Sequence, residues 1–181
     1  MLRRFRKAAA WLVIMCMAVV SLAGLGVVSA SASTSKSWNF KNTGFKELGT
    51  ITSTKTVDGL TLIATSSKTM SVKAENVTVE GTSYTYALAL SGSGTTSYRA
   101  VKVPVSGSDV IKVTLRSSGS TTRSLVVADA DGRQLGTISA PASASTGSYS
   151  YSGSAGYVYL YSSNSGINLY KIQVDSNGST T

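Results

Sequence analysis

Residues 101–116 read Val101-Lys102-Val103-Pro104-Val105-Ser106-Gly107-Ser108-Asp109-Val110-Ile111-Lys112-Val113-Thr114-Leu115-Arg116, two alternating runs separated by a turn. In the first run Val101, Val103 and Val105 fall on every second position; in the second, Ile111, Val113 and Leu115 do. A strand sends successive side chains to opposite faces, so this period of two describes half-buried strands with one apolar and one polar face. Ser106-Gly107-Ser108 has the chemistry of a tight turn. Lys102, Lys112, Thr114 and Arg116 fall on the polar faces, and the short turn predicts that the three cations share one solvent-facing surface. Pro104 has no N–H to give a ladder, which predicts a sheet edge or a bulge there.

The same period extends in both directions. Leu60, Leu62 and Ala64 alternate with polar or outward positions, as do Met70, Val72 and Ala74, and the segments 77–80, 84–90, 125–128, 157–161 and 167–174 add further strands. Turn signals punctuate them at Asp58-Gly59, Glu80-Gly81, Ser91 to Gly94, Asp131-Gly132 and Ser165-Gly166. After Val28 no stretch holds a helical period over the 11 or more residues that would define one. Many short strands at regular spacing predict an all-β protein, a two-sheet antiparallel β-sandwich of jelly-roll type, over residues 33–175. Trp38-Asn39-Phe40, with Phe45, and the last strand, 170–174, are expected to pair and close it.

The composition divides the chain. Of 181 residues, 17 are Lys or Arg and 8 are Asp or Glu, with no His and one Cys. Residues 1–32 contain Arg3, Arg4, Arg6, Lys7, an apolar run from Ala8 to Val28, the lone Cys16, and the tripeptide Ala30-Ser31-Ala32. That is the pattern of a signal peptide cleaved after Ala32, which predicts a secreted, extracellular protein with no membrane association after cleavage. Residues 176–181 have linker composition. The remainder carries net charge +5 and neither His nor Cys. It therefore has no residues for a Cys/His zinc site, a Cys nucleophile or a Ser-His-Asp triad, and no disulfide framework.

What is left points to binding rather than catalysis. Tyr157, Tyr159 and Tyr161 alternate with Val158 and Leu160, so three rings emerge from one face of a strand, with Tyr149 and Tyr151 expected beside them across a hairpin at Ser152-Gly153-Ser154. Tyr rings offer flat apolar surface with hydroxyls at the edge, which suits stacking on sugar rings; the same spacing also serves cross-strand pairing that only stabilises a sheet. Lys102, Lys112 and Arg116 offer charge to an anionic polysaccharide, or simply keep exposed strands soluble. Should the tyrosines and the cations face different ways, only one set is the site. Arg99 and Arg123 sit at strand starts and are reserve candidates, expected over the sheet rim or paired with a carboxylate such as Asp129 or Glu80. The segment 129–132, Asp-Ala-Asp-Gly, has the spacing that opens a Ca²⁺ loop, but the Glu that completes one is missing and a hairpin turn accounts for it. No cofactor and no catalytic residue is expected, a structural Ca²⁺ being the minor alternative. The export signal argues against a nucleic-acid partner, and a monomer is expected.

The runs Gly92-Ser-Gly-Thr-Thr-Ser-Tyr-Arg-Ala-Val101, Val113-Thr-Leu-Arg-Ser-Ser-Gly-Ser-Thr-Thr-Arg-Ser-Leu125 and Tyr157-Val-Tyr-Leu-Tyr-Ser-Ser-Asn-Ser-Gly-Ile-Asn-Leu-Tyr-Lys-Ile172 together resemble the non-catalytic β-sandwich modules attached to bacterial pectate lyases. The likeness extends from Trp38-Asn39-Phe40 and Thr56-Val-Asp-Gly-Leu60 to Val174. It implies a carbohydrate-binding module for pectin or homogalacturonan, with basic residues on uronate carboxylates. Two alternatives stand beside it: the leading fragment of a pectate lyase, and a surface or matrix protein whose Tyr-rich sheets cohere between copies.

Overall fold

The computed structural model describes residues 33–176, and among them thirteen strands and one four-residue helix form two antiparallel sheets. Residues 1–32, read above as an export signal, and the tail from Asn177 lie outside the described residues. Sheet A runs β11 (Ser145–Tyr151), β8 (Asp109–Ser117), β13 (Ile167–Ser176), β6 (Thr82–Ala89), β5 (Met70–Val79) and β2 (Thr50–Ile51), and β1 (Thr34–Asn39) also pairs with β13. Sheet B runs β10 (Gln134–Ala140), β9 (Arg123–Ala128), β12 (Gly156–Ser162), β7 (Ala100–Val105), β4 (Leu60–Ile63) and β3 (Lys55–Val57). The eight strands from β6 onward give the orders β6-β13-β8-β11 and β7-β12-β9-β10, the strand order of a jelly roll. The expected sandwich is thus the observed one.

Alternation explains the core. Val101, Val103, Val158, Leu160, Leu125 and Val127 point inward from sheet B, against Ile111, Val113, Leu115, Leu169 and Ile172 from sheet A, all of them fully buried. The amino-terminal aromatic cluster closes the sandwich as expected. Trp38 lies opposite Ile172 in the β1–β13 ladder. Phe40 meets Phe45 of the helix, α1 (Thr43–Lys46), edge to face at 5.2 Å. Two hairpins, β3–β4 and β5–β6, turn at Asp58-Gly59 and Glu80-Gly81, where both residues of each pair have positive φ.

Two hairpin expectations fail for one reason. In a jelly roll, consecutive strands often belong to opposite sheets. Ser106-Gly107-Ser108 carries the chain from β7 in sheet B to β8 in sheet A, so Lys102 and the pair Lys112 and Arg116 occupy opposite outer faces. Likewise the segment between β11 and β12 changes sheet, and Tyr149 and Tyr151 pack against the core instead of beside Tyr157.

Candidate functional site

The outer face of sheet B is built by register. Thr56, Thr61, Lys102, Tyr159 and Ala128 lie in one row across β3, β4, β7, β12 and β9. In flanking rows, Pro104 is opposite Tyr157, and Ala100 is opposite Tyr161. All three tyrosines therefore share one face, as their spacing predicts. They are not equally available. Ala100, Val126 and Ala128 point outward yet are buried, and the loop of residues 91–99 reaches over Tyr161 at that end of the sheet. Gly94 donates its N–H to Ser162 O at 2.9 Å, and a Cβ there would come within 3.0 Å of the Tyr161 Cβ. Tyr161 is thus a support for the loop.

Tyr157 is different: at 49% relative exposure it is the one exposed large hydrophobic side chain among the described residues. Lys102 places its Nζ 4.0 Å from the Tyr157 ring centroid, within the range of a cation–π contact. The six strands of sheet B contain no Asp or Glu. Among the described residues Lys102 has no carboxylate partner, and the Thr56 and Thr61 hydroxyls, 3.0 Å apart, continue its row. The arrangement is a shallow surface of aromatic ring, hydroxyls and one unneutralised cation.

The outer face of sheet A has a different character. Alternation puts Glu75 on this face with Ser71 and Lys73, at the start of a bulge in β5 between Ala74 and Val77, and a bulge in β13 turns out both Tyr170 and Lys171. Glu75 accepts hydrogen bonds from the Tyr170 hydroxyl at 2.6 Å and from Asn168 Nδ2 at 2.8 Å, and pairs with Arg116 at 2.8 Å and Lys73 at 3.7 Å. Burial pushes the Glu75 carboxyl up, but the Tyr170 and Asn168 donors and the Arg116 and Lys73 charges outweigh it and leave it below its ordinary value. Burial and the adjoining carboxylate push the Tyr170 phenol well up, so it remains the donor. Nearby, Lys112 pairs with Asp175 at 2.9 Å, and Ser35 and Gln173 donate to the same carboxylate. Those partners, Ser35 first, hold Asp175 down at about 2. Lys112 and Arg116 are therefore committed to internal carboxylates.

Arg99 and Arg123, expected either over the rim or on a carboxylate such as Asp129 or Glu80, donate to backbone carbonyls instead of a carboxylate. Arg99 donates Nε to Thr69 O at 3.1 Å. Arg123 donates to Gly166 O and to Ser118 Oγ. Each ties two loops together. Asp129 accepts from the N–H groups of Asp131 and Arg133 and from the Arg133 side chain, which is hairpin-turn chemistry. Among the described residues no three His, Cys, Asp or Glu side chains cluster as metal ligands, and no helix is long and apolar enough to cross a membrane.

Two features escaped the sequence reading. Lys68 places its Nζ 5.7 Å from the Tyr98 ring, joining two loops distant in sequence. A cleft of about 370 Å³ also opens between β1 and β7, with Lys36, Trp38, Pro104, Val105, Ser106 and Val174 among its lining. Neither has a local sequence pattern, because each depends on which loops and strands the jelly roll brings together.

The strand order and the exposed face define the class as a jelly-roll β-sandwich with an aromatic and cationic outer surface. No protein-family model and no curated protein sequence matches the chain. Among solved structures it is similar to an exo-β-1,3-galactanase from Phanerochaete chrysosporium with galactose, at 14% identity and TM-score 0.42, over 78% of this chain and 29% of that one. It is also similar to the apo CBM1 of BiXyn10A, at 14% identity and TM-score 0.32, over 81% of this chain and 93% of that one.

Proposed function

We propose that the protein is a secreted, non-catalytic polysaccharide-binding module that uses the outer face of sheet B. The observation that carries this reading is the exposed Tyr157 ring, with Lys102 Nζ over one of its faces, on a sheet whose strands have no acidic residue. A pyranose presents an apolar C–H face that an exposed Tyr ring desolvates well, while hydroxyls and an ammonium satisfy its polar edge. Tyr159 and the Thr61 hydroxyl extend the contact along the row.

The preferred ligand is an acidic polysaccharide of the homogalacturonan type. Lys102 supports this, as a cation with no carboxylate partner among the described residues, close enough to Tyr157 to reach the carboxylate of a uronate bound there. Lys112 and Arg116 contribute fold stability rather than charge for the ligand, so the pairing of charge with aromatic surface rests on Lys102. The amino-terminal segment supports export, and the resemblance to pectate lyase modules points the same way.

Affinity electrophoresis in gels containing polygalacturonate, methyl-esterified pectin, xylan or cellulose tests the reading. Retardation is expected in polygalacturonate and less in its methyl ester. It weakens as salt shortens the screening length from ~10 Å at 0.1 M to ~3 Å at 1 M. Unretarded migration in every gel would remove carbohydrate binding. Retardation insensitive to salt and to methyl-esterification would remove the preference for an acidic chain.

A further inference from the structure

The four strands that end the two sheets, β2 and β11 in sheet A and β3 and β10 in sheet B, are not protected alike. A terminal strand carries a row of unpaired N–H and C=O groups that a strand of another chain can pair with, and proteins blunt it by shortening, bulging or charging it. β2 has two residues, β3 has three and begins with Lys55, and β10 is bulged between Gln134 and Gly136. β11 has none of these devices. Its seven residues, Ser-Thr-Gly-Ser-Tyr-Ser-Tyr, contain no charge and no Pro, and they follow β8 in unbroken register from Ser145 opposite Leu115 to Tyr151 opposite Asp109. Among the described residues β11 pairs only with β8, and its backbone makes no other backbone hydrogen bond. Every second residue therefore turns its N–H and C=O away from the sheet.

A second copy of the same strand matches this edge. Paired antiparallel about Ser148, two copies of β11 overlap along their whole length. On the inner side, where Tyr149 and Tyr151 pack against the core, Gly147 then lies opposite Tyr149 and Ser145 opposite Tyr151, so each ring crosses from a small residue. A ring set across from an edge glycine is a recognised stabilising pair. On the outer side Thr146 lies opposite Ser150, and Ser148 opposite its own copy, all of them exposed hydroxyls. Like charges directly opposite would resist such a pairing, and β11 has none. The cations of the strand behind it are also occupied: Lys112, beside Ser148 in the ladder, turns the other way to Asp175 of β13 at 2.9 Å, and Arg116 is held by Glu75.

We infer that the protein associates as a two-fold dimer through β11, in place of the monomer expected from its sequence. A dyad at Ser148, perpendicular to the sheet, joins the two A sheets into one and leaves both B sheets on the same side of it, so both Tyr157 faces point one way. One strand from each copy makes a contact at the small end of those that hold in solution, and the dimer therefore forms as concentration rises. Resting on the sheet B reading, the dimer offers two polysaccharide sites to one surface, where the second binding event becomes intramolecular.

Sedimentation equilibrium of the purified protein, with no polysaccharide present, tests the dimer apart from the sheet B reading. Pairing through β11 predicts an average mass that climbs from the monomer's toward twice that value as concentration rises to ~1 mM. A mass that stays at the monomer's would overturn the inference and leave the sheet B reading standing. Ser148→Lys sets two cations on the dyad and is expected to stay at the monomer's mass with Tm unchanged, because Ser148 is exposed. A Ser148→Lys variant that associates like the parent would overturn the assignment to β11. Ser148→Cys gives an independent reading, since residues 33–181 contain no Cys. Residues directly opposite in an antiparallel pair have Cα atoms ~4.5–5.5 Å apart, within the span of a disulfide. Under mild oxidation Ser148→Cys should become a covalent dimer about tenfold faster than Ser83→Cys, an exposed position on β6 where thiols meet only by collision. Equal rates would overturn the inference.

Discussion

Glu75 is the group whose loss should be felt most on the outer face of sheet A. Its carboxylate takes hydrogen bonds from Tyr170 and Asn168 and a close contact from Arg116, all between 2.6 and 2.8 Å, and its side chain is only 14% exposed. Glu75→Ala leaves a buried phenol, an amide and a guanidinium without their shared acceptor, and Arg116 Nε is already buried without a partner. Hydrogen bonds to a charged group contribute ~1.5–3 kcal/mol, and a stranded buried donor adds to the loss. Since Arg116 keeps access to water, we expect about 3 kcal/mol in all. For a domain of this size each kcal/mol lowers Tm by roughly 2–4 °C, so the transition should fall by about 6–12 °C. Glu75→Gln keeps an acceptor for Tyr170 but not the charge, and should lose roughly half as much. The carboxyl lies below its ordinary value, so its stabilisation is present above the unfolded value of 4.5 and is lost as pH falls through the folded value. Differential scanning calorimetry at pH 7 and below pH 3 therefore should show a Glu75→Gln deficit at neutral pH that shrinks in acid. A Glu75→Ala variant melting within 1 °C of the parent at pH 7 would refute the view that this network holds the sheet and that Arg116 is structural.

Further outcomes follow from the same contacts. Asp175, held at about 2 against an ordinary 3.8, contributes stability above pH 4 that disappears as pH falls through 2. Asp175→Asn should therefore melt lower than the parent at pH 7 and alongside it near pH 2, as followed by circular dichroism. Gly94→Ala puts a Cβ 2.4 Å from Arg99 O and 2.9 Å from Tyr98 O. Overpacking of this kind costs ~1–3 kcal/mol, visible as a lower Tm, and the displaced loop should make Tyr161 more reactive toward nitration. Lys102→Ala should weaken polygalacturonate binding at low salt and flatten its salt dependence, whereas Arg116→Ala should lower Tm and leave affinity in place. Equal losses of affinity in the two variants would contradict the division of labour between the faces.

The fold was legible because its strands are half buried. Alternation in 101–105, 111–115 and 157–161 reports directly which side chains reach the core, and Asp58-Gly59 and Glu80-Gly81 announce their turns by their tolerance of positive φ. Pairing between strands distant in sequence was visible only where bulk demanded it, as with Trp38 and the last strand. Sheet membership was not legible. The turn at Ser106–Ser108 looks like an ordinary hairpin, and nothing local states that it crosses between sheets and carries Lys112 away from Lys102. The bulge that presents Tyr170 was equally silent, since it interrupts the period that makes strands readable. For the candidate site, the common face of the three tyrosines followed from parity alone. That Tyr161 lies under the 91–99 loop, and that Trp38 and Lys36 line a cleft, required the tertiary arrangement.

The most direct test of the account is the affinity of the Tyr157→Ala variant for homogalacturonan oligosaccharide by isothermal titration calorimetry, beside the parent at equal ionic strength. Stacking on an exposed aromatic ring contributes ~1.5 kcal/mol, and 1.4 kcal/mol is tenfold in affinity. The account predicts a dissociation constant about tenfold higher with Tm unchanged. An unchanged dissociation constant in a folded Tyr157→Ala protein would contradict the placement of the site on sheet B.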